Sequence, residues 1–203
     1  YDWMREQLSV ALQGARLVRR VAEEIAQREQ AEHWRRQQEL SLAARMQTSI
    51  LPRELRVPGL ELAARMLPAL AVGGDGYDVR PFARGCWLAI GDASGRGLAR
   101  GLTMMLLESR IAAVVAGAPE GSPKEALQVI NGVLRDNVHE RLGYDEHATL
   151  LLMRYESSGR VAYAGAHEDI LIYRKRLGRA ERVESIGVWL GIVPDVDDAT
   201  ELR

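Results

Sequence analysis

The sequence GGDGYDVRPFARGCWLAIGDASGRG, residues 73–97, contains the features that decide the fold and indicate the chemistry. Two acidic clusters flanked by glycines enclose two stretches typical of strands, residues 77–82 and 86–90. A turn near Arg84 and Gly85 would join these strands into a hairpin. Carboxylates beside small residues at strand ends suit hard metal ions, because the metal and its waters can approach the backbone. This stretch therefore predicts a hairpin that can hold a metal ion at one end.

The composition of the chain limits the classes of function. The chain has 203 residues, a net charge of −1 and 47% hydrophobic residues, which is enough for one domain and an extra element. This charge favours neither a nucleic-acid partner nor an anionic membrane surface. The single cysteine, Cys86, excludes an internal disulfide and a cysteine-based zinc cluster, and we expect it to be buried in a strand. No apolar run is long enough to span a bilayer, so we expect no direct membrane contact.

The first 50 residues contain no proline and predict one long helix, which Pro52 ends. Apolar residues recur there in alternating steps of four and three, the pattern of a coiled-coil heptad. They are Met4, Leu8, Ala11, Ala15, Val18, Ala22 and Ile25. The pattern predicts a dimerisation helix that relays a signal from a preceding domain; packing of the helix on its own domain is the alternative. Residues 27–39 favour the dimer, because so polar a segment gains little by packing on a core.

After Pro52 the pattern changes to short strands and two further helices. Strands are predicted at residues 60–66, 148–155, 160–164 and 170–173, strand and loop at 183–193, and helices at 98–116 and from Pro123 to about 140. Hairpins on both sides of a helix pair argue against alternating βαβ units. The sequence thus predicts an α+β fold with layers of mainly antiparallel sheet.

Six segments, in chain order, resemble the motifs of SpoIIE-type bacterial phosphatases of the metal-dependent (PPM, protein phosphatase 2C-like) serine/threonine phosphatase superfamily. They are MQTSILP at 46–52, VGGDGYD at 72–78, IGDASGRG at 90–97, LQVIN at 127–131, ATL at 148–150 and AYAGAH at 162–167. Each is weak alone, but six in order are strong. The resemblance covers residues 42–194 and implies an αββα sandwich with two Mn²⁺ or Mg²⁺ ions at one edge. We expect a helical linker at residues 1–47 and the phosphatase domain at 48–203.

The resemblance also assigns the candidate site. It implies that Asp75 and Asp92 bind the ions and are catalytic, with the backbone carbonyl of Ala93 as a further ligand. Asp78 would support the second ion, and His167 would meet the substrate phosphate, although a structural histidine at a strand end is the alternative. Without the resemblance the two aspartates would be interpreted as turn caps, which is common for Asp beside Gly.

One departure from the family concerns the end of the chain. The family takes further carboxylates from a later Thr-Asp-Gly-like turn, and the sequence stops at Arg203 before such a motif. We expect Asp195, Asp197 and Asp198 to lie in a solvated loop instead. The chain begins with Tyr1 rather than Met, so we expect an excised fragment. Because the later motif is missing, either the C-terminal part is absent from this chain or the protein is naturally shortened. In both cases we expect the chain to bind metal poorly, and it can be inactive alone.

The resemblance implies a phosphoprotein phosphatase in bacterial signalling, with two-metal water attack on a phosphorylated anti-sigma-factor antagonist of STAS fold. We expect a cytoplasmic domain, and one alternative is that it belongs to a larger membrane-anchored sensor. We also expect movement of residues 46–50 against the domain to gate metal binding. One rival is a non-catalytic dimeric signalling module that keeps the phosphatase fold. A weaker rival is a nucleotide-binding protein that uses GRGLARG at 95–101.

Overall fold

The computed structural model describes residues 1–68, 72–95, 97–143 and 145–196. The chain forms two units, Tyr1–Leu42 and Ala43–Arg203. Helix α1 covers Asp2–Ile50 and ends just before Pro52, as predicted. Among the described residues, no helix combines the length and the apolar character needed to cross a bilayer.

Five residues of the predicted heptad seam are exposed on α1: Met4, Ala15, Val18, Ala22 and Ile25. The side chains of the other two, Leu8 and Ala11, lie outside the described part of the structure. Met4, Val18 and Ile25 expose 63%, 70% and 51% of their surface. An apolar stripe that does not pack within its own unit is compatible with helix pairing. The dimer itself stays a prediction.

Four antiparallel strands form the main sheet of the second unit. They are β3 Asp75–Phe82, β4 Gly85–Ala93, β5 Ala148–Glu156 and β6 Val161–Ala166, adjacent in that order. Phe82 pairs with Gly85, which confirms the predicted hairpin and places residues 83 and 84 in its turn. The predicted turn between β5 and β6 is also present, with Gly159 in the left-handed region at φ 88°.

Two short hairpins accompany the sheet. β1 Arg56–Val57 pairs with β2 Leu60–Glu61, and β7 Ile170–Arg174 pairs with β8 Arg179–Val183. The strand predicted at residues 60–66 is wrong beyond Glu61. The turn at Pro58 and Gly59 folds the chain back over two residues only, and residues 62–68 have no strand partner within the described ranges.

Two helices follow β4, as predicted. α2 covers Gly97–Gly117, and α3 covers Pro123–Arg135 and continues as a π-helical turn, Asp136–Arg141. The hydroxyl of Ser122 accepts hydrogen bonds from the backbone N–H groups of Lys124 and Glu125. This cap satisfies N–H groups that have no partner within the helix, and it fixes where α3 begins.

The core lies between α2, α3 and one face of the four-stranded sheet. It contains Trp87, Ala89, Met104, Leu107, Ile111, Leu127, Ile130, Leu134, Leu150 and Leu152. Cys86 is buried, as expected. Ile90 points to the other face of the sheet and is 44% exposed. The predicted fold class, α+β with mainly antiparallel sheet and a long N-terminal helix, is confirmed.

Candidate active site

Four polar residues lie in one row across an end of the main sheet. Asp75 on β3 is the register partner of Asp92 on β4, and Asp92 is the partner of Thr149 on β5. The row continues to His167, whose Nδ1 lies 2.8 Å from the Thr149 hydroxyl. Partner residues on antiparallel strands point to the same face, with Cβ atoms about 5 Å apart. The fold therefore brings together the two aspartates that the sequence analysis selected.

His167 lies at the wall of a groove beside this row. The groove has a volume of about 210 Å³, and its walls include Arg65, Asp75, Tyr77 and His167. The backbone N–H of His167 donates to the Ser185 hydroxyl over 3.2 Å. The histidine is thus held by structural hydrogen bonds and also borders an open groove, so both interpretations of its role stay predictions.

The loop before β3 approaches the end of β4 so closely that a glycine is required. The backbone N–H of Ala93 donates to the carbonyl oxygen of Gly74 over 2.9 Å. A Cβ at Gly74 would collide with the carbonyl oxygen of Ala93 and with Oδ1 of Asp92. Because glycine has no side chain, these two oxygen atoms are left facing a common space.

The same loop is held by the end of α1. Gln47 is 1% exposed. Its Nε2 donates to the carbonyl oxygen of Gly73 over 2.7 Å, and its Oε1 accepts from the Gly73 N–H over 3.0 Å. Gln47 lies within the MQTSILP motif, but its role is not predicted, because nothing in the sequence identifies a partner 26 residues away.

A side-chain cation from α2 contacts the two oxygens expected to bind a metal. Nε of Arg100 donates to the carbonyl oxygen of Ala93 over 2.8 Å, and Nη2 donates to Oδ1 of Asp92 over 2.6 Å. Arg100 lies in the first turn of α2, where the helix dipole opposes a positive charge. In the sequence Arg100 stands out only as part of GRGLARG, and its contact with Asp92 is not predicted. Its unfavourable position at a helix N-terminus is the signal that could have revealed the contact.

The chemistry of these donors suits a cation. Asp75, Asp92 and the Ala93 carbonyl offer the hard oxygen atoms that Mg²⁺ and Mn²⁺ prefer, and a guanidinium already contacts two of them. Within the described ranges, no group of three or more His, Cys, Asp or Glu side chains could hold a metal. The described residues thus include hard oxygen donors at this edge of the sheet but no full set of metal-ligating side chains. Asp195 is exposed, and Asp197 and Asp198 lie outside the described residues.

Asp78 occupies a different environment from Asp75. Alternation along β3 places Asp78 on the same face as Gly76, where an added Cβ would lie 2.6 Å from Oε1 of Glu108 on α2. The carboxylate of Asp78 accepts from the backbone N–H of Val79 over 2.8 Å and from Nε of Arg80 over 2.6 Å. The supporting role predicted for Asp78 stays a prediction, and both of its oxygens already have partners in the protein.

Glu108 is a buried carboxyl group next to Asp78. It is 2% exposed, and neither of its oxygens has a hydrogen-bond partner within the part of the chain that the structure describes. Burial, followed by the negative charge of Asp78, raises the pKa of Glu108 to about 7, while Arg80 opposes the shift. The environment of Glu108 therefore favours the neutral, protonated carboxyl group.

The segment between β4 and α2 is tied to the start of β5. The N–H of Ser94 donates to the carbonyl oxygen of His147 over 2.7 Å, and the N–H of His147 donates to the Ser94 hydroxyl over 2.8 Å. The imidazole of His147 stacks on Trp189 with ring centroids 4.8 Å apart. These contacts fix the backbone directly after Ala93, and with it the direction of the Ala93 carbonyl.

Solved structures with this fold are PP2C-type phosphatase domains. The SiaA-PP2C domain of Pseudomonas aeruginosa matches with a TM-score of 0.66 and 19% identity, over 85% of this chain and 68% of that chain. The RsbU and RsbW domains of Rv1364c from Mycobacterium tuberculosis match with a TM-score of 0.53 and 20% identity, over 66% of this chain and 37% of that chain. The PP2C phosphatase domain and a regulatory-domain fragment of SpoIIE from Bacillus subtilis match with a TM-score of 0.50 and 17% identity, over 64% and 36%.

These similarities define the class of protein by its fold, which is that of PP2C-like phosphatases. This chain spans a little over a third of the length of the latter two proteins. The sequence profile of the family described as Stage II sporulation protein E (SpoIIE) matches residues 83–202. The chain therefore belongs to the SpoIIE family, which confirms the predicted resemblance. No curated protein matches the chain by sequence.

Proposed function

We propose that the chain is a metal-dependent serine/threonine phosphatase domain that acts on a phosphorylated regulatory protein in bacterial signalling. The observation that carries the proposal is the register pair of Asp75 and Asp92, with the Ala93 carbonyl and a bound guanidinium beside it. A site that holds one cation on hard oxygen atoms has the donor chemistry for another. Membership of the SpoIIE family supports the phosphatase class.

Asp75, Asp92 and the Ala93 carbonyl would hold the metal. Mn²⁺ or Mg²⁺ ions, two in the complete site, would supply an activated water and positive charge opposite the phosphoryl oxygens. Around them, the Thr149 hydroxyl lies 3.4 Å from the backbone oxygen of Asp92 and helps to hold that residue in place. The groove wall at Arg65 and His167 offers nitrogen donors to a phosphoryl group that enters beside Asp75.

The substrate that we propose is a small phosphoprotein of STAS type, an anti-sigma-factor antagonist. Its support is the family resemblance. The groove beside Asp75 is an open surface feature of only about 210 Å³, which suits a phosphorylated side chain presented by a protein better than a large free ligand. A cytoplasmic location for this reaction is part of the same proposal.

Phosphate release from a phosphoserine protein in the presence of Mn²⁺ tests the catalytic proposal in the full-length protein. Asp92→Asn keeps the size of the side chain but removes the ligand charge, so the rate should fall to background. Asp195→Asn removes an exposed carboxylate of the same unit and should leave the rate unchanged. Equal rates for Asp92→Asn and the wild type would refute the role of Asp92.

We also propose that α1 forms a homodimer through Leu8, Ala11, Ala15, Val18, Ala22 and Ile25, and that its end regulates the site. The exposure of the described members of this stripe, such as Val18 and Ile25, supports the first part, and the contact of Gln47 with Gly73 supports the second. Light scattering should give a dimer for the whole chain and a monomer without residues 1–40. Val18→Glu should weaken the dimer, whereas Gln13→Glu, off the seam, should not. A monomer in both lengths would sink this proposal.

A non-catalytic signalling module is the second candidate. It is favoured by the contact of Arg100 with Asp92 and by the incomplete ligand set among the described residues. The two candidates differ in metal binding. A full-length protein that binds no Mn²⁺ and releases no phosphate would favour the module.

A further inference from the structure

Arg100 and a metal ion require the same two oxygen atoms. The guanidinium donates through Nε to the Ala93 carbonyl and through Nη2 to Oδ1 of Asp92, over 2.8 and 2.6 Å. A divalent ion binds such oxygens at about 2.0–2.6 Å, so it cannot share their inward-facing lone pairs with a guanidinium. Occupation by one cation therefore excludes the other.

The surroundings are shaped for the guanidinium. A Cβ at Gly74 would collide with Nε of Arg100 as well as with the two acceptor oxygens. The first turn of α2 contains no acidic residue, so within α2 nothing offsets the repulsion between Arg100 and the helix dipole. The contacts with Asp92 and Ala93 supply that compensation, which is why the side chain points to the site.

The pair is also accessible enough to open. The side chains of Arg100 and Asp92 are 30% and 36% exposed. Water can solvate both groups when they separate, so the contact is worth much less than a fully buried ion pair. A contact of this kind can exchange with a competing ion.

We propose that Arg100 is an internal competitor of the divalent cation, and that its guanidinium and the metal alternate on Asp92 and the Ala93 carbonyl. The inference rests on the cation site of the proposed function. Only molecules with the pair open can bind metal there, so the observed affinity is the intrinsic affinity multiplied by the open fraction. If the pair is closed in about 50–80% of molecules, as a partly exposed ion pair allows, its removal raises the affinity about twofold to fivefold.

Titration of MnCl₂ into the full chain by calorimetry measures this directly, without use of activity. Arg100→Gln should bind Mn²⁺ about twofold to fivefold more tightly than the wild type. Arg100→Lys keeps the charge but loses the bidentate guanidinium, so its affinity for Mn²⁺ should fall between those of the wild type and Arg100→Gln. Arg53→Ala removes an exposed arginine of the same unit and should match the wild type.

A thermal-shift measurement supplies a second readout. Without metal, Arg100→Gln should melt at or below the temperature of the wild type, and Mn²⁺ should raise its melting temperature more. An affinity of Arg100→Gln equal to or lower than that of the wild type overturns the competition. If Asp92→Asn still abolishes wild-type binding in that case, the proposed metal site stands without the competitor. Absence of Mn²⁺ binding in every variant overturns both.

Discussion

Two aspartates of the same hairpin, Asp78 and Asp92, each pair with an arginine, and the two pairs differ in location and exposure. Asp78 pairs with Arg80, two residues away on β3, and only 7% of its side chain is exposed. Asp92 pairs with Arg100, which comes from α2, and 36% of its side chain is exposed. The first pair is local and faces the core helices, whereas the second joins two elements at an accessible edge. Acidic residues of one hairpin can thus have separate roles, depending on the face of the sheet on which they lie.

The pair of Asp78 and Arg80, the inner pair, has an energetic cost that the pair of Asp92 and Arg100, the outer pair, lacks. Asp78 lies near the buried carboxyl group of Glu108, and its charge adds to the effect of burial in raising the pKa of Glu108 to about 7. We therefore expect the stability of the region around Asp78 and Glu108, the inner region, to depend on pH. The outer region is instead expected to respond to metal ions.

The largest expected effect concerns Glu108 and pH. In the folded protein Glu108 keeps its proton up to about pH 7, whereas in the unfolded chain it releases the proton near its ordinary pKa of 4.5. Stability contributed by this proton is complete below about pH 4.5 and is lost as the pH rises to about 7. At pH 8, Glu108→Gln should therefore raise the free energy of unfolding by up to about 3 kcal/mol.

Urea denaturation at pH 5 and pH 8 checks this prediction. At pH 5 the substitution should change little, because Glu108 is already neutral when the protein is folded. Exposed Glu140→Gln serves as the control and should show no such pH dependence. A gain for Glu108→Gln of the same size at both pH values would mean that the charge of Glu108 is not the cause.

The next effect separates the two pairs directly. At pH 5, Asp78→Ala leaves the N–H of Val79 without its acceptor and should cost about 2 kcal/mol of stability. Asp92→Ala breaks a pair whose members water can solvate and should cost less than about 1 kcal/mol. Urea denaturation gives the stabilities, and calorimetry with Mn²⁺ should show the opposite ranking, with Asp92→Ala the more damaging. Equal losses of stability would remove the distinction between the pairs.

The smallest effect concerns a support that only the outer region has. Gln47→Ala removes two buried hydrogen bonds to Gly73 and should cost about 1 kcal/mol, because the polar cavity left by the shorter side chain can hold a water that replaces part of them. Hydrogen exchange at the Gly73 amide should become faster, while exchange near Asp78 stays the same. Gln38→Ala, on the exposed part of α1, is the matched control. Unchanged exchange at Gly73 would show that Gln47 does not hold this loop.

The elements that the sequence predicts well are those with local causes. The hairpin of β3 and β4 follows from two strand-like stretches joined by a turn near Arg84, and the start of α3 follows from Ser122 and Pro123. The strand expected at residues 60–66 fails beyond Glu61, because a strand needs a neighbour and periodicity does not provide one. In the site, Asp75 and Asp92 are recognisable from their motifs. Arg100 and Gln47 act through contacts that only the tertiary fold creates.

The two hydrogen bonds between Gln47 and Gly73 make the contact between the end of α1 and the loop before β3 all-or-none. Both hydrogen bonds use one amide group, so they form or break together. A shift of one helical residue moves a side chain by about 1.5 Å along the axis and about 100° around it, which removes both bonds at once. Input that reaches the Gly73 loop through α1 would therefore arrive with a threshold, whatever its strength upstream.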